Sequence, residues 1–211
     1  PTVEVEVVND DGTRGIGIAP AGASRGTREA VELRDGGDRF QGLDVQTAIA
    51  GITREIAPAL LGRDPSEQAA IDTMLIALDG TATKSRLGAN ALLGISMAML
   101  RAQAASQHIP LYRHVAALYG TARYLLPVPM MNILNGGAHA SNNVDAQEFM
   151  VIPIGADTFE DGLRMGVETF HALKKVLTRM KLSTAVGDEG GFAPSLPSHE
   201  AALDGGMGAV P

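Results

Sequence analysis

The chain has 211 residues, of which 45% are hydrophobic, and its formal net charge is −7. This length and composition allow a buried core in one large domain or two modest ones. The negative charge argues against binding to nucleic acid or to an anionic membrane. Because the sequence contains no cysteine, disulfides and thiolate metal sites are excluded, and we expect a reducing compartment, the cytoplasm. No apolar run is long enough to predict a membrane span.

The chain begins with the pattern of a β-hairpin. Residues 2–8 alternate apolar and polar side chains, as a half-buried strand does. Residues 9–12, Asn-Asp-Asp-Gly, have the composition of a turn, and residues 13–19 predict the returning strand.

Helices are predicted after the hairpin. Residues 28–34 are compatible with a short helix, and Asp44 is placed to cap the next one. Asp64 followed by Pro65 is a strong helix start, because proline is favoured in the first helical position. Residues 89–107 predict a longer helix that is rich in small residues and ends before a proline.

The second part of the chain starts at residues 125–129, where two prolines indicate a boundary. Two apolar strands are predicted at residues 128–134 and 148–154, and a third, short one at residues 184–186. Between the second and the third, Thr158 starts the clearest amphipathic helix. Its predicted buried stripe is Leu163, Val167, Phe170, Leu173 and Leu177.

Polar loops follow the apolar strands. The loop after residue 134 supplies His139, Gln147 and Glu148, and a second loop, Gly-Asp-Glu-Gly-Gly, supplies Glu189. Rigid strands can aim side chains that such loops carry, so we hypothesise that Glu148 and Glu189 meet at one end of a sheet or barrel. Taken singly, Glu148 is more readily explained as an exposed strand end, Glu189 as part of a solvated turn, and His139 as an ordinary loop histidine.

Ser24 lies in a loop of small residues between positions 20 and 26. From spacing alone it is most simply a loop serine that caps a following helix.

Six short motifs together resemble the enolase family, and they occur in the family's order. They are Pro-Ala-Gly-Ala-Ser at 20–24, Leu-Asp-Gly-Thr at 78–81 with Lys-Ser-Arg-Leu-Gly-Ala-Asn at 84–90, Leu-Pro-Val-Pro at 126–129, Asn-Gly-Gly-Ala-His at 135–139, Gln-Glu-Phe-Met at 147–150 and Gly-Asp-Glu-Gly-Gly at 187–191.

The resemblance implies a fold in two parts. Residues 1–126 are expected to form an α+β amino-terminal domain, a hairpin or meander sheet with a helical layer. Residues 127–204 are expected to be the first strands and helix of an enolase-type α/β barrel, similar to a TIM barrel. Residues 205–211 are expected to be a tail outside the family, without helix or strand.

The resemblance also implies an activity, the magnesium-dependent dehydration of 2-phosphoglycerate to phosphoenolpyruvate in glycolysis. By similarity to the family, Glu189 is the general acid and Glu148 its partner near the leaving hydroxyl. His139 lies beside the substrate on a closing loop, and Gln147 lines the site. Ser24 belongs to a mobile loop and ligates the second of two magnesium ions, which reverses the capping interpretation. This loop departs from the family at Ala21 and Arg25.

Other parts of the family's site have no counterpart in the 211 residues. The lysine base, the three carboxylates of the first magnesium site and the phosphate-binding arginine lie beyond residue 211 in enolases. We therefore expect a partial chain that is inactive alone and belongs to a homo-oligomeric lyase. The alternative is a non-catalytic, enolase-like module that serves assembly or interaction with partners.

Overall fold

The computed structural model describes residues 1–22 and 25–210. The chain divides into two compact units, Pro1–Arg123 and Tyr124–Pro211. Each unit has its own two-stranded sheet and its own buried clusters. The fold is therefore an α+β unit followed by the opening elements of a barrel, and the described residues form no closed barrel.

The first unit begins with the predicted hairpin, which is confirmed. Strand β1 (Val3–Val8) pairs antiparallel with β2 (Arg14–Ala19), and the register joins Val3 to Ala19. Val3 and Val5 are buried while Glu4 is exposed, because successive side chains of a strand point to opposite faces.

Helix α4 (Ala89–Ser106) packs against the hairpin at very close range. A Cβ on Gly15 would lie 2.0 Å from the carbonyl oxygen of Ala98, and one on Gly17 would lie 1.9 Å from that of Gly94. Only glycine fits at these two strand positions, since the helix backbone occupies the space a side chain needs. The predicted long helix is confirmed, and small residues are what allow this approach.

The remaining helices complete the layer around α4. They are α1 (Gln46–Gly51), which continues through a π-helical turn (Ile52–Ile56) into α2 (Ala57–Leu60), then α3 (Gln68–Asp79) and α5 (Leu111–Tyr119). A short 3₁₀ turn (Arg39–Gly42) precedes α1. Buried Ile56, Ile71, Leu75 and Ile95 join Val3 in one hydrophobic cluster, so the hairpin and the helices share a core.

The predicted helix at residues 28–34 is wrong. This segment is irregular, and its backbone bonds to residues distant in the chain. Val31 N–H donates to the Thr83 carbonyl at 2.7 Å, and the Asn90 side chain exchanges two hydrogen bonds with the backbone of Leu33. These long-range bonds satisfy the groups that a helix would have satisfied locally.

Two predicted helix starts are displaced. Asp44 does not cap α1; its Oδ1 accepts from Val45 N–H, whereas the Asp35 carboxylate accepts from Gln46 and Thr47 N–H at 2.8 and 2.9 Å. Asp35 thus satisfies free donors of the first helical turn from outside the helix. Asp64 accepts from Ser66 N–H in a turn, and the helix begins later, at Gln68.

The second unit is built on a bulged pair of strands. Strand β3 (Met131–Asn135) pairs antiparallel with β4 (Glu148–Val151), with an irregularity between Asn132 and Leu134. Leu134 also forms a parallel bridge with Phe192. β3 is therefore the central element that holds the two polar loops. The predicted strand at 184–186 is reduced to a single bridge between Val186 and Phe192.

Helix α6 (Phe159–Arg179) starts as predicted, with the Thr158 hydroxyl accepting from Asp161 N–H. The predicted buried stripe is right only in the second half of the helix, where Leu173 and Leu177 are buried. Leu163 and Val167 are exposed, and the buried face there is Gly162, Gly166 and Thr169. Gly166 faces the Met131 side chain, which occupies the space a Cβ would need.

Helix α7 (His199–Met207) contradicts the prediction that residues 205–211 contain no regular structure. The Ser198 hydroxyl accepts from Ala201 N–H at its start, and the helix runs through Gly205 and Gly206. Ala202 is buried beside Leu134 and Leu196. The Ser198 cap and this apolar contact stabilise the helix and offset the two glycines, each of which disfavours it by about 1 kcal/mol.

Among residues 1–22 and 25–210, no helix combines the length and the apolar character that crossing a membrane requires.

Candidate active site

The loop after β3 folds back on the start of β4 through backbone hydrogen bonds. Gly136 N–H donates to the Gln147 carbonyl at 3.0 Å, and Gly137 N–H donates to the Val144 carbonyl at 2.6 Å. A Cβ on Gly136 would lie 2.4 Å from the Val144 carbonyl oxygen. The glycine pair of the Asn-Gly-Gly-Ala-His motif is thus required by the close approach of the two sides of the loop.

The second polar loop is joined to the first at His139. Asp188 N–H donates to the His139 carbonyl at 2.9 Å, and Gly187 N–H donates to the Gly191 carbonyl at 2.8 Å. A Cβ on Gly187 would lie 2.4 Å from the same His139 oxygen. The backbone of His139 therefore lies directly against the turn that carries Glu189.

Three ionisable side chains converge where the loops meet. One ligand atom from each of His139, Glu148 and Glu189 lies within 4.8 Å of the other two. His139 and Glu189 are within ion-pair distance, with 3.5 Å between Nδ1 of the imidazole and Oε1 of the carboxylate. The sequence suggested two carboxylates at one end of a sheet, and the structure brings the carboxylates of Glu148 and Glu189 together with the imidazole.

His139 has an unusual environment for a loop histidine. It is only 4% exposed, and its Nδ1 is buried without a hydrogen-bond partner among the described residues. A buried polar atom without a partner costs about 1–3 kcal/mol. Such a cost is commonly associated with a functional site, because a bound molecule can supply the partner. The Glu189 side chain is 44% exposed, so the cluster is open to solvent on its acidic side.

Chemically, the cluster can exchange protons with a bound molecule. Two carboxyl groups and an imidazole within hydrogen-bonding reach of one small volume form the set used in general acid–base catalysis. The group is not a fit for magnesium, which prefers six oxygen ligands, because one of its three donors is the imidazole nitrogen. Ser24, the residue with a predicted role as a magnesium ligand, lies outside the described residues.

Gln147 is placed beside the glycine turn. Its carbonyl accepts from Gly136 N–H, and its Cγ lies 2.9 Å from the position that a Cβ on Gly137 would take. Gln147 is exposed and immediately precedes Glu148. The roles predicted for Gln147, Glu148, His139 and Glu189 stay predictions.

Asn135 is a site residue that the sequence analysis missed. Its side chain is fully buried, accepts from Gly191 N–H at 2.7 Å and donates to the Gln147 carbonyl at 3.3 Å. In the sequence it stands out only as the first residue of the Asn-Gly-Gly-Ala-His motif at 135–139. A polar residue at the end of an apolar strand, directly before two glycines, was the signal available in the sequence.

An α+β unit followed by opening barrel strands, with acidic groups beside the strand ends, defines the class of α/β-barrel proteins that carry an amino-terminal domain. Residues 1–115 match the family described as "Enolase, N-terminal domain", and residues 123–210 match "Enolase, C-terminal TIM barrel domain". The chain is 58% identical over 204 residues to the enolase of Acidothermus cellulolyticus, which covers 97% of this chain and 47% of that relative. The chain belongs to the enolase family, and it spans about half the length of this curated relative.

Proposed function

We propose that this protein takes part in the phosphopyruvate hydratase reaction of glycolysis, in which 2-phosphoglycerate loses water to give phosphoenolpyruvate. The observation that carries the proposal is the convergence of His139, Glu148 and Glu189 within 4.8 Å in a chain of the enolase family. The protein would accordingly be a lyase of the hydro-lyase type.

The proposed reaction has two proton transfers. A base removes the proton from C2 of the substrate, and the electron pair left on C2 then forms the double bond to C3. The C3–O bond breaks in the same step, and the departing hydroxide takes a proton from the Glu189 carboxylic acid and leaves as water. Glu189 is thereby converted to its carboxylate and is reprotonated from solvent, to which its side chain is 44% exposed.

The neighbouring residues support this proton transfer. We assign Glu148 to the position beside the leaving hydroxyl, because its carboxylate shares the small volume occupied by Glu189 and His139. We assign His139 to the substrate side of the cluster, where its Nδ1 lies 3.5 Å from Oε1 of Glu189. We also assign Gln147, which is exposed, to the lining of the site.

Family membership also suggests what the rest of the site contains. In the family, the C2 base, the first magnesium site and the phosphate-binding arginine lie beyond residue 211, so the 211 residues should be inactive by themselves. Magnesium dependence, with Ser24 as a ligand of the second ion, homo-oligomerisation and a cytoplasmic location belong to the same proposal. No step above is assigned to magnesium, since the described cluster does not fit it.

Ultraviolet detection of phosphoenolpyruvate tests the proposal. The 211-residue chain is compared with a chimera in which it continues into the remaining barrel of the Acidothermus relative, both with 2-phosphoglycerate and excess magnesium. We expect the chimera to turn over the substrate and the 211-residue chain not to do so. In the chimera, Glu148→Gln or Glu189→Gln should reduce turnover roughly 10²- to 10⁴-fold. Asp188→Asn, the same change from carboxylate to amide in the residue before Glu189, should retain activity. Turnover by the chimera that survives both glutamate substitutions would refute the proposal.

A further inference from the structure

We infer that Asn135 is a positioning residue that sets the spacing between the carboxylates of Glu148 and Glu189. The inference rests on the proposed function for its catalytic meaning, but the spacing itself is a property of this chain. Asn135 touches neither carboxylate in the bonds described above; it acts through the two backbone segments that carry them.

The Asn135 amide bridges the two acidic loops directly. Its Oδ1 accepts from Gly191 N–H at 2.7 Å, two residues after Glu189. Its Nδ2 donates to the Gln147 carbonyl at 3.3 Å, in the residue directly before Glu148. One planar amide group thus connects the backbones of the two loops through hydrogen bonds of 2.7 and 3.3 Å.

Burial makes this bridge specific to asparagine. Asn135 is 0% exposed, and a Cβ on Gly191 would lie only 2.8 Å from its Oδ1. An apolar residue of similar size would leave the Gly191 N–H, in a buried residue, without this partner. The Gln147 carbonyl would keep its hydrogen bond from Gly136 N–H but would lose its connection to residue 135. A buried N–H left without a partner favours local opening of the loops.

The backbone of Asn135 also links β3 to the loop that carries Glu189. Its N–H donates to the Phe192 carbonyl at 2.8 Å, and Phe192 N–H donates to the Ile133 carbonyl at 2.9 Å. These bonds attach the second loop to β3 whatever side chain stands at 135. Replacing the side chain should therefore loosen the spacing of the carboxylates without detaching the loop from the strand.

Spin labelling of this chain measures the spacing. Because the sequence contains no cysteine, the double substitution Glu148→Cys and Glu189→Cys allows nitroxide labels at these two positions only. We expect strong dipolar broadening of the electron paramagnetic resonance spectrum when Asn135 is present. Asn135→Leu added to the labelled chain should reduce the broadening and widen the distribution of distances.

Asn143 provides the matched control. Its amide also makes two bonds to a distant segment, donating to the Leu196 carbonyl at 2.7 Å and accepting from Leu196 N–H at 2.9 Å. Asn143→Leu should leave the broadening between positions 148 and 189 unchanged. Equal broadening in the parent and in Asn135→Leu would overturn the inference, and so would an equal loss in Asn143→Leu.

A second variant covers the case in which Asn135→Leu does not fold. Asn135→Asp keeps an oxygen acceptor for Gly191 N–H and removes the donor to Gln147. We expect an intermediate loss of broadening, and the full broadening of the parent would again contradict the inference.

Kinetics of the chimera separate this inference from the proposed function. We expect Asn135→Asp to lower kcat roughly 10- to 100-fold, the range that small misplacements of reacting groups produce, with little change in KM. Asn143→Leu should alter neither constant. A chimera without turnover would count against the proposed function, while the spin-label result would still decide the role of Asn135. A normal kcat in Asn135→Asp would overturn the inference.

Discussion

The Nδ1 atom of His139 lies 3.5 Å from Oε1 of Glu189, although the two residues belong to different loops. The pair is placed by a backbone contact next to it, since Asp188 N–H donates to the His139 carbonyl at 2.9 Å. The geometry of the side chains thus depends on how closely the Gly187 turn can approach His139. Substitutions in that turn should therefore change the positions of His139 and Glu189.

We expect Gly187→Ala to destabilise the second unit by about 1–3 kcal/mol, the usual cost of forcing atoms into a packed site. The added Cβ would lie 2.4 Å from the His139 carbonyl oxygen. Gly155→Ala is the control, because a Cβ at that position meets no atom within 4 Å. Urea unfolding measures both variants; equal stability of the two would show that the turn is not tightly held.

Local patterns predicted much of this fold. Alternation gave the β1–β2 hairpin, and the Thr158 cap gave the start of α6, because both features depend on residues near one another in sequence. The segment at 28–34 was mispredicted because its hydrogen bonds go to residues such as Thr83 and Asn90. Sequence spacing carries no information on such distant partners.

At the candidate site, too, local sequence patterns predicted some features, and contacts between distant residues were missed. The resemblance identified His139, Glu148 and Glu189, and the glycines around them indicated the two turns. Asn135 was missed because its function depends on Gly191 and Gln147 approaching it together, which only the folded chain shows. The buried face of α6 was misassigned near Leu163 because Gly166 admits the Met131 side chain, and a helical pattern of apolar residues does not reveal such a contact.

Helix α6 offers a direct comparison of two leucines. Leu173 is 0% exposed and belongs to a hydrophobic cluster with Ile133 and Phe192, whereas Leu163 is 45% exposed. Leu173→Ala should lower the free energy of unfolding by about 2–5 kcal/mol, and Leu163→Ala should change it by less than about 0.5 kcal/mol. Denaturation that shows equal losses for the two would contradict the observed orientation of the helix.

Asp79 should make the stability of the first unit depend on pH. Burial raises the pKa of its carboxyl, but hydrogen bonds from Leu87, Thr81 and Arg86 together outweigh burial, so the pKa lies below the ordinary value of 3.8. A lowered pKa in the folded state stabilises the fold above pH 3.8, and this contribution is lost as the pH falls through the folded value.

We therefore expect Asp79→Asn to reduce the free energy of unfolding by roughly 2–3 kcal/mol at pH 7, the scale of hydrogen bonds to a charged group. The difference from the parent chain should shrink as the pH falls below 3.8. Asp10→Asn, in the exposed turn of the hairpin, is the control. Urea unfolding at several pH values measures the free energies of unfolding of the three chains. A difference between Asp79→Asn and the parent that is independent of pH would contradict the lowered pKa of Asp79.

The second unit should tend to associate with other molecules or to open. Among its exposed apolar side chains are Leu126, Ile154 and Met207, at 74%, 84% and 72% exposure, and its strands form a sheet of only two members. Open sheet edges beside apolar surface favour pairing between molecules. We expect concentration-dependent association of the 211-residue chain and weak hydrogen-exchange protection of β4. Strong, uniform protection from residue 128 to 193 in a monomer would contradict this.

The most direct test of the proposed acid is to follow the two proton transfers separately in deuterated water. The chimera and its Glu189→Gln variant are incubated with 2-phosphoglycerate, and nuclear magnetic resonance measures deuterium incorporation at C2 alongside phosphoenolpyruvate formation. Since Glu189 acts only after the C2 proton has left, we expect the variant to continue exchange while product formation falls roughly 10²- to 10⁴-fold. Equal loss of exchange and product formation, or the loss of neither, would contradict the role assigned to Glu189.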